Sequence, residues 1–195
     1  MKSDLSSNYG KFVAKGEVVF VRNLPGPIEL VWAYLTEADK RAKWFAGGEM
    51  DRFVGGNLEL EFKHSNLTTS EDVVPEKYAD MHENGHKMKT RITGYEPPRL
   101  LSYIWNEGEE PGPNSEVFFE LEPIGDQVRL TLTHRRLADP GTAASVGTGW
   151  HLHLNLLEAQ LKGETPPLLW KTHSKLQPEY AAELGVSLSD VKSCG

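Results

Sequence analysis

Hydrophobic positions recur along this chain with two periods, and the switches between them divide it into elements. Glu17-Val18-Val19-Phe20-Val21-Arg22 is β-branched and aromatic and runs into Asn23-Leu24-Pro25-Gly26-Pro27, a dense turn signal, so it predicts a first strand. Pro27 suits the first position of a helix, where its missing N–H matters least, and Ile28, Val31, Trp32 and Leu35 then share one face at helical spacing. Thr36-Glu37-Ala38-Asp39 reads as an N-cap with a carboxylate three residues on, predicting a second short helix from Lys40 to Phe45 that Gly47-Gly48 stops. Past Gly55-Gly56 the period becomes two: Leu58, Leu60 and Phe62 alternate with Asn57, Glu59 and Glu61, the pattern of a strand with one wet face.

From Ser65 to Gly85 no period is sustained, apart from a helical turn around Glu76 to Met81. This predicts a long loop beside the sheet, acting as a lid over an interior site or as a solvated insertion. Period two then returns in four segments. Lys87 to Thr93 places Met88, Thr90 and Ile92 on one face, and Leu100 to Trp105 places Leu101, Tyr103 and Trp105 together. Glu116 to Leu121 aligns Val117, Phe119 and Leu121, and Val128 to His134 aligns Val128, Leu130, Leu132 and His134. Gly94 to Pro98, the Gly/Pro/Glu-rich stretch Asn106 to Asn114, and the hairpin turn Ile124-Gly125-Asp126-Gln127 separate these strands. The expectation is an antiparallel meander of about six to seven strands.

Asp139-Pro140 is an N-cap followed by a first-turn proline, and the segment it opens ends at Gly163, giving one long helix. At about 100° per residue, Val146, Trp150, Leu154, Leu157 and Leu161 fall within about 80° of one another, a stripe able to face the sheet. Leu152, Leu156 and Ala159 form a second, narrower strip, while His151, Asn155, Glu158 and Lys162 are polar. Leu168, Leu169, Trp170, Leu176 and Tyr180 make the tail too apolar to be free, so it is expected to dock on that strip; a homodimer covering the same strip is the alternative. The domain is thus expected over residues 11–163, with a 164–195 extension packed on it.

Composition narrows the function classes. A chain of 195 residues with 38% hydrophobic and 25% charged residues suits one well-cored globular domain. The net charge of −7, without a dense Lys/Arg block, argues against nucleic-acid binding. Cys194 is the single cysteine, which fits a reducing, cytoplasmic setting. No apolar run approaches the roughly 18 residues of a membrane span, and the first ten residues lack a secretory apolar stretch, so membrane insertion and export are not expected.

The order strand, two short helices, antiparallel strands, long C-terminal helix resembles the α+β helix-grip superfamily (SRPBCC, or START-like) of birch-pollen-allergen-like proteins, lipid-transfer domains and polyketide cyclases. Within it the chain is most similar to the bacterial Aha-type group, named after the activator of heat-shock-protein-ninety ATPase. The motifs that carry this are Pro27-Ile28-Glu29-Leu30-Val31-Trp32-Ala33-Tyr34-Leu35-Thr36, Trp44-Phe45, Gly55-Gly56, the run from Gly94 to Trp105, and Gly149-Trp150-His151-Leu152-His153-Leu154. The resemblance implies a curved sheet gripping the long helix over an apolar cavity for a small molecule. Chaperone-accessory or stress-response work is what the group's name implies.

In that frame the expected cavity lining is Trp44, Phe45, Leu60, Phe62, Met88, Ile92, Tyr103, Trp105, Phe119, Leu130, His134, Val146, Trp150, His153, Leu154 and Leu157. Tyr103, His134 and His153 are its polar members, able to orient the head of a small hydrophobic or amphipathic ligand, or to move protons in an enzyme of cyclase or hydrolase type. No metal site is expected from the seven histidines: His151 and His153 sit about 200° apart on a helix, and His64, His82 and His86 flank the irregular loop without ligand spacing. No cofactor is expected either, since neither GxxxxGK[ST] nor a strand-borne GxGxxG occurs. A GxSxG elbow is missing as well, leaving covalent catalysis without a candidate.

Overall fold

The computed structural model describes residues 8–105 and 114–192, so most of the Asn106 to Asn114 stretch and Cys194 lie outside the described residues. Seven strands follow one another: β1 (Lys11–Ala14), β2 (Glu17–Pro25), β3 (Asn57–Phe62), β4 (His86–Glu96), β5 (Leu100–Trp105), β6 (Ser115–Ile124) and β7 (Gln127–Arg135). They form one antiparallel sheet in the order β1-β2-β7-β6-β5-β4-β3. Two short helices, α1 (Ile28–Thr36) and α2 (Ala38–Arg41), carry the chain from β2 to the far edge strand β3. Helix α3 (Ala79–Asn84) precedes β4, and α4 (Pro140–Lys162) and α5 (Leu169–Glu183) complete the fold. This is the α+β helix-grip architecture, with α4 as the gripped helix.

Alternation of side chains sets the register. Leu58, Leu60 and Phe62 of β3 are buried, and their outward neighbours Glu59 and Glu61 stand opposite Lys89 and Lys87 of β4, with which they form ion pairs on the wet face. On α4, the Asp139 carboxylate accepts from the Thr142 N–H at 2.8 Å, Pro140 takes the first turn, and Gly163 closes the helix at φ 67°, a left-handed conformation that glycine adopts without penalty.

Several details depart from the expected pattern. β1 adds an edge strand whose side chains are exposed except for half-buried Phe12, so it shows no alternation to detect. The second helix is Ala38–Arg41, not Lys40 to Phe45: Thr36 finishes α1, its hydroxyl donating to the Trp32 carbonyl at 2.9 Å, and Glu37 takes the cap position. β4 continues past Thr93 to Glu96, and its pairing with β5 shifts between Ile92 and Gly94.

The segment after β3 is not a plain loop. It holds 3₁₀ turns at His64–Asn66 and Glu76–Tyr78 before α3, and it builds the socket for α5. The Asp72 carboxylate accepts from the Trp170 and Lys171 N–H groups at 2.7 and 3.1 Å, satisfying donors that a helix start leaves unpaired. The Trp170 ring stacks on Tyr78 at 5.0 Å, and its indole N–H donates to His82 Nδ1 at 3.0 Å. Helix α5 also lies along α4, where a side chain at Gly147 would meet Tyr180 and Phe12. Leu152, Leu156 and Ala159 are buried.

Candidate functional site

Between the concave face of the sheet and α4, inward side chains from every layer converge. Leu60 and Phe62 come from β3, Met88 and Ile92 from β4, Tyr103 and Trp105 from β5, Phe119 from β6, and Leu130 and His134 from β7. The turn after α2 supplies Trp44 and Phe45, and α4 supplies Val146, Trp150, His153, Leu154 and Leu157. All are buried except Trp105 and Val146, which are half-buried.

The aromatic members meet ring to ring. Phe45 stacks on Trp150 at 5.0 Å and on Trp44 at 5.3 Å, and it meets Phe62 and His153 edge-on at 5.1 and 5.2 Å. Trp150 in turn lies edge-on to Phe119 and Trp105, both at 5.6 Å, and Tyr103 stacks on Phe119 at 6.0 Å. These offset and edge-to-face arrangements suit the ring quadrupoles, each pair adding about 0.5–1.5 kcal/mol beyond area burial.

The polar members differ from one another. His134 is fully buried and closed on both sides: the Trp150 indole N–H donates to Nδ1 at 3.0 Å, and Nε2 lies 3.0 Å from Ser115 Oγ. An indole nitrogen can only donate, so Nδ1 is the acceptor and Nε2–H donates to the serine. Burial pushes this imidazole down to about 3. His153 donates from Nδ1 to the Trp44 carbonyl at 2.7 Å, which leaves Nε2 as an acceptor; burial brings it to about 4. Both rings are therefore neutral near pH 7, and neither exchanges protons there. Tyr103 is 2% exposed, and burial raises its phenol well above the usual range. Its hydroxyl has no hydrogen-bond partner among the described residues.

Arg41 belongs with this group and was not among the expected lining. It is 3% exposed; Nε donates to the Ala46 carbonyl at 2.9 Å and Nη2 to those of Gly47 and Gly48, while Nη1 is buried with no partner. Arg41 and Tyr103 lie close enough that each favours the other's charged form. In the sequence Arg41 stands in a charged run, Asp39-Lys40-Arg41, that suggests a solvated face; the available signal was its four-residue spacing from inward Phe45.

Other histidines also lie deeper than their sequence positions suggest. His151, assigned to the polar face of the long helix, is buried with Nδ1 2.9 Å from the Tyr180 hydroxyl. His64, taken as a loop residue, lies 6.1 Å from the His153 ring and 5.5 Å from Trp170, with its Nδ1 buried and unpartnered; burial takes it to about 3. Among the described residues, no three His, Cys, Asp or Glu side chains are placed to hold a metal ion. No described helix is long and apolar enough to cross a membrane.

A second buried arginine, Arg22, shares the inward parity of Val18 and Phe20 on β2. It donates from Nη1 to the Val21 carbonyl, while Nε and Nη2 have no partner, and burial lowers it to about 10. Elsewhere, a surface crevice of about 430 Å³ opens between the start of α1 and the β6–β7 hairpin, lined by Pro27, Ile28, Pro123 and Asp126 among others. It shares no residue with the aromatic gap.

Comparison with known proteins agrees with this architecture. A Bordetella parapertussis protein solved by NMR in solution is 42% identical, with 92% of each chain covered and a TM-score of 0.76. CalU16 from Micromonospora echinospora superposes with a TM-score of 0.61 at 23% identity, covering 86% of this chain and 88% of its own. DynU16, from the dynemicin biosynthetic locus, gives 0.59 at 19% identity over 80% of this chain and 51% of its own. The last two share the fold. No curated protein matches the sequence. The family described as activator of Hsp90 ATPase homolog 1-like protein matches residues 25–162, from the end of β2 through α4, and the chain belongs to that family.

Proposed function

We propose that this protein binds a small hydrophobic or amphipathic molecule between the concave face of the sheet and α4. The observation that supports it is the continuous aromatic wall from half-buried Trp105 through Trp150, Phe45 and Phe62, with the His153 Nε2 acceptor and the Tyr103 hydroxyl set into it. Ligand sites are commonly apolar and aromatic with a few convergent polar groups, which is this composition. The rings touch one another, so a guest reaches the gap by displacing side chains at the rim, where Trp105 and His64 keep partial exposure.

Proton-transfer catalysis in the same gap has less support. His134 has no free nitrogen, and both His134 and His153 are held neutral far below the pH at which they would shuttle protons.

Native mass spectrometry of the protein purified from its source tests the reading. Under it, the native mass exceeds the sequence mass by a few hundred daltons, and the excess leaves on denaturation as an apolar compound. A protein that is always bare, and whose tryptophan emission is unmoved by added amphiphiles, would overturn it.

A further inference from the structure

Buried polar groups in folded proteins are nearly always hydrogen-bonded, so an orphaned one calls for a reason. Arg41 Nη1 is such a group, and Tyr103, whose hydroxyl makes no hydrogen bond among the described residues, lies near enough for each side chain to favour the other's charged form. The guanidinium is fixed by the carbonyls of Ala46, Gly47 and Gly48 through Nε and Nη2, which leaves Nη1 as a donor edge that cannot turn away. Tyr103 approaches from β5, on the face that carries Trp105, and its hydroxyl is a second donor. Arg41 is a buried cation without an ion pair among the described residues; Glu49 lies near enough to favour its charge but forms no bridge to it. An uncompensated buried charge is costly, and an anion placed against Nη1 would remove that cost.

We infer that the aromatic gap takes a carboxylate amphiphile, an apolar ring- or chain-bearing body whose carboxylate is held between Arg41 Nη1 and the Tyr103 hydroxyl. This rests on the ligand-binding reading above and names the chemistry of its guest. The donor set selects the head group. Two donors from two elements match the two oxygens of a carboxylate, and the fixed positive charge separates it from an uncharged amide or alcohol of the same shape. The body would lie along Phe119 and Trp105, the rings stacked beside Tyr103. Arg22 does not offer the same arrangement. Its polar neighbours Tyr180 and His151 are already bonded to each other, so no second free donor stands beside it among the described residues.

The test is a fluorescence titration of the full chain with 11-(dansylamino)undecanoic acid and with its primary amide, an uncharged isostere. The wild-type protein should bind the acid about tenfold or more tightly than the amide, the scale of one charge-assisted hydrogen bond. Tyr103→Phe should reduce that preference several-fold, and Arg41→Gln should abolish it. Because Arg41 also ties down the 46–48 turn, the acid-to-amide ratio on wild-type protein and the Tyr103→Phe variant decide the matter if Arg41→Gln does not fold. Equal binding of acid and amide would overturn the carboxylate assignment and leave the gap standing as an apolar site. Binding of neither probe by folded protein would overturn the ligand-binding reading itself, and the assignment with it.

Discussion

Two polar centres lie on the concave side of this sheet, and they are built to opposite specifications. At His134, every nitrogen is used: Trp150 donates to one, Ser115 takes the proton of the other, and the ring is fully buried. At Arg41 and Tyr103, whose side chains are also buried, Arg41 keeps a donor edge unspent and the Tyr103 hydroxyl bonds to none of the described residues. A closed network ties a strand to a helix and specifies packing. An open one stores unmet hydrogen-bonding capacity, which is favourable only if something arrives to meet it. Inward direction alone does not mark a binding residue, since His134 and Tyr103 both point inward; what separates them is whether the fold has already satisfied them.

The largest test of this contrast is pH. His134, His153, His64, His151 and His173 are all lowered by burial, to about 3 or 4. Below pH 6.5 the unfolded chain takes up protons that the fold refuses, so stability is present above 6.5 and is lost as pH falls from 6.5 towards 4. Each histidine contributes a loss of roughly 1.4 kcal/mol between pH 7.5 and pH 5.5, so urea unfolding at pH 5.5 should show a loss on the order of 7 kcal/mol relative to pH 7.5. The open centre contributes nothing to this loss, because Arg41 stays charged and Tyr103 neutral throughout. An unfolding free energy that is flat between the two values would show that the histidines are not held neutral.

Replacing one closed residue should cost less than that but more than removing the Tyr103 hydroxyl at the open centre. His134→Leu leaves the Trp150 indole N–H buried without an acceptor and Ser115 without its donor, a loss of about 2–3 kcal/mol at pH 7.5. The same variant should lose about 1.4 kcal/mol less than wild type on going to pH 5.5, since one proton no longer enters on unfolding. Urea titrations of both proteins at both pH values measure the two effects separately. A variant as stable as wild type would mean that the network carries no structural weight.

The architecture was legible wherever parity or helical spacing repeats over several residues. Leu58, Leu60 and Phe62, the inward faces of β4 to β7, and the Asp139-Pro140 to Gly163 helix follow from period alone. β1 was not legible because a four-residue edge strand with one half-buried side chain shows no alternation. His151 and His64 looked polar and exposed because what buries them is distant in sequence: Tyr180 lies against the first, Trp170 against the second. The socket for α5 has the same origin, since Asp72 caps a helix almost a hundred residues away. At the candidate site, parity identified Tyr103, Trp105, Phe119 and His134 as inward. It could not show which of their polar atoms the fold would leave unpaired, and Arg41 was hidden by the charges beside it.

The smallest expected effect is the most discriminating. Tyr103→Phe removes a hydroxyl that makes no hydrogen bond among the described residues, and the ring that stacks on Phe119 stays in place. No partner is left orphaned by the change, and the desolvation cost of one buried polar atom disappears. The urea midpoint should therefore move by no more than about 0.5 kcal/mol in equivalent stability, and in the stabilising direction if it moves at all. A loss of about 1.5 kcal/mol or more would mean that the hydroxyl is already satisfied within the folded chain or by a resident water, so that the centre is closed like the one at His134. Stability kept at Tyr103 and lost at His134 would place the reserve of unmet hydrogen bonding beside Arg41, where a guest can use it.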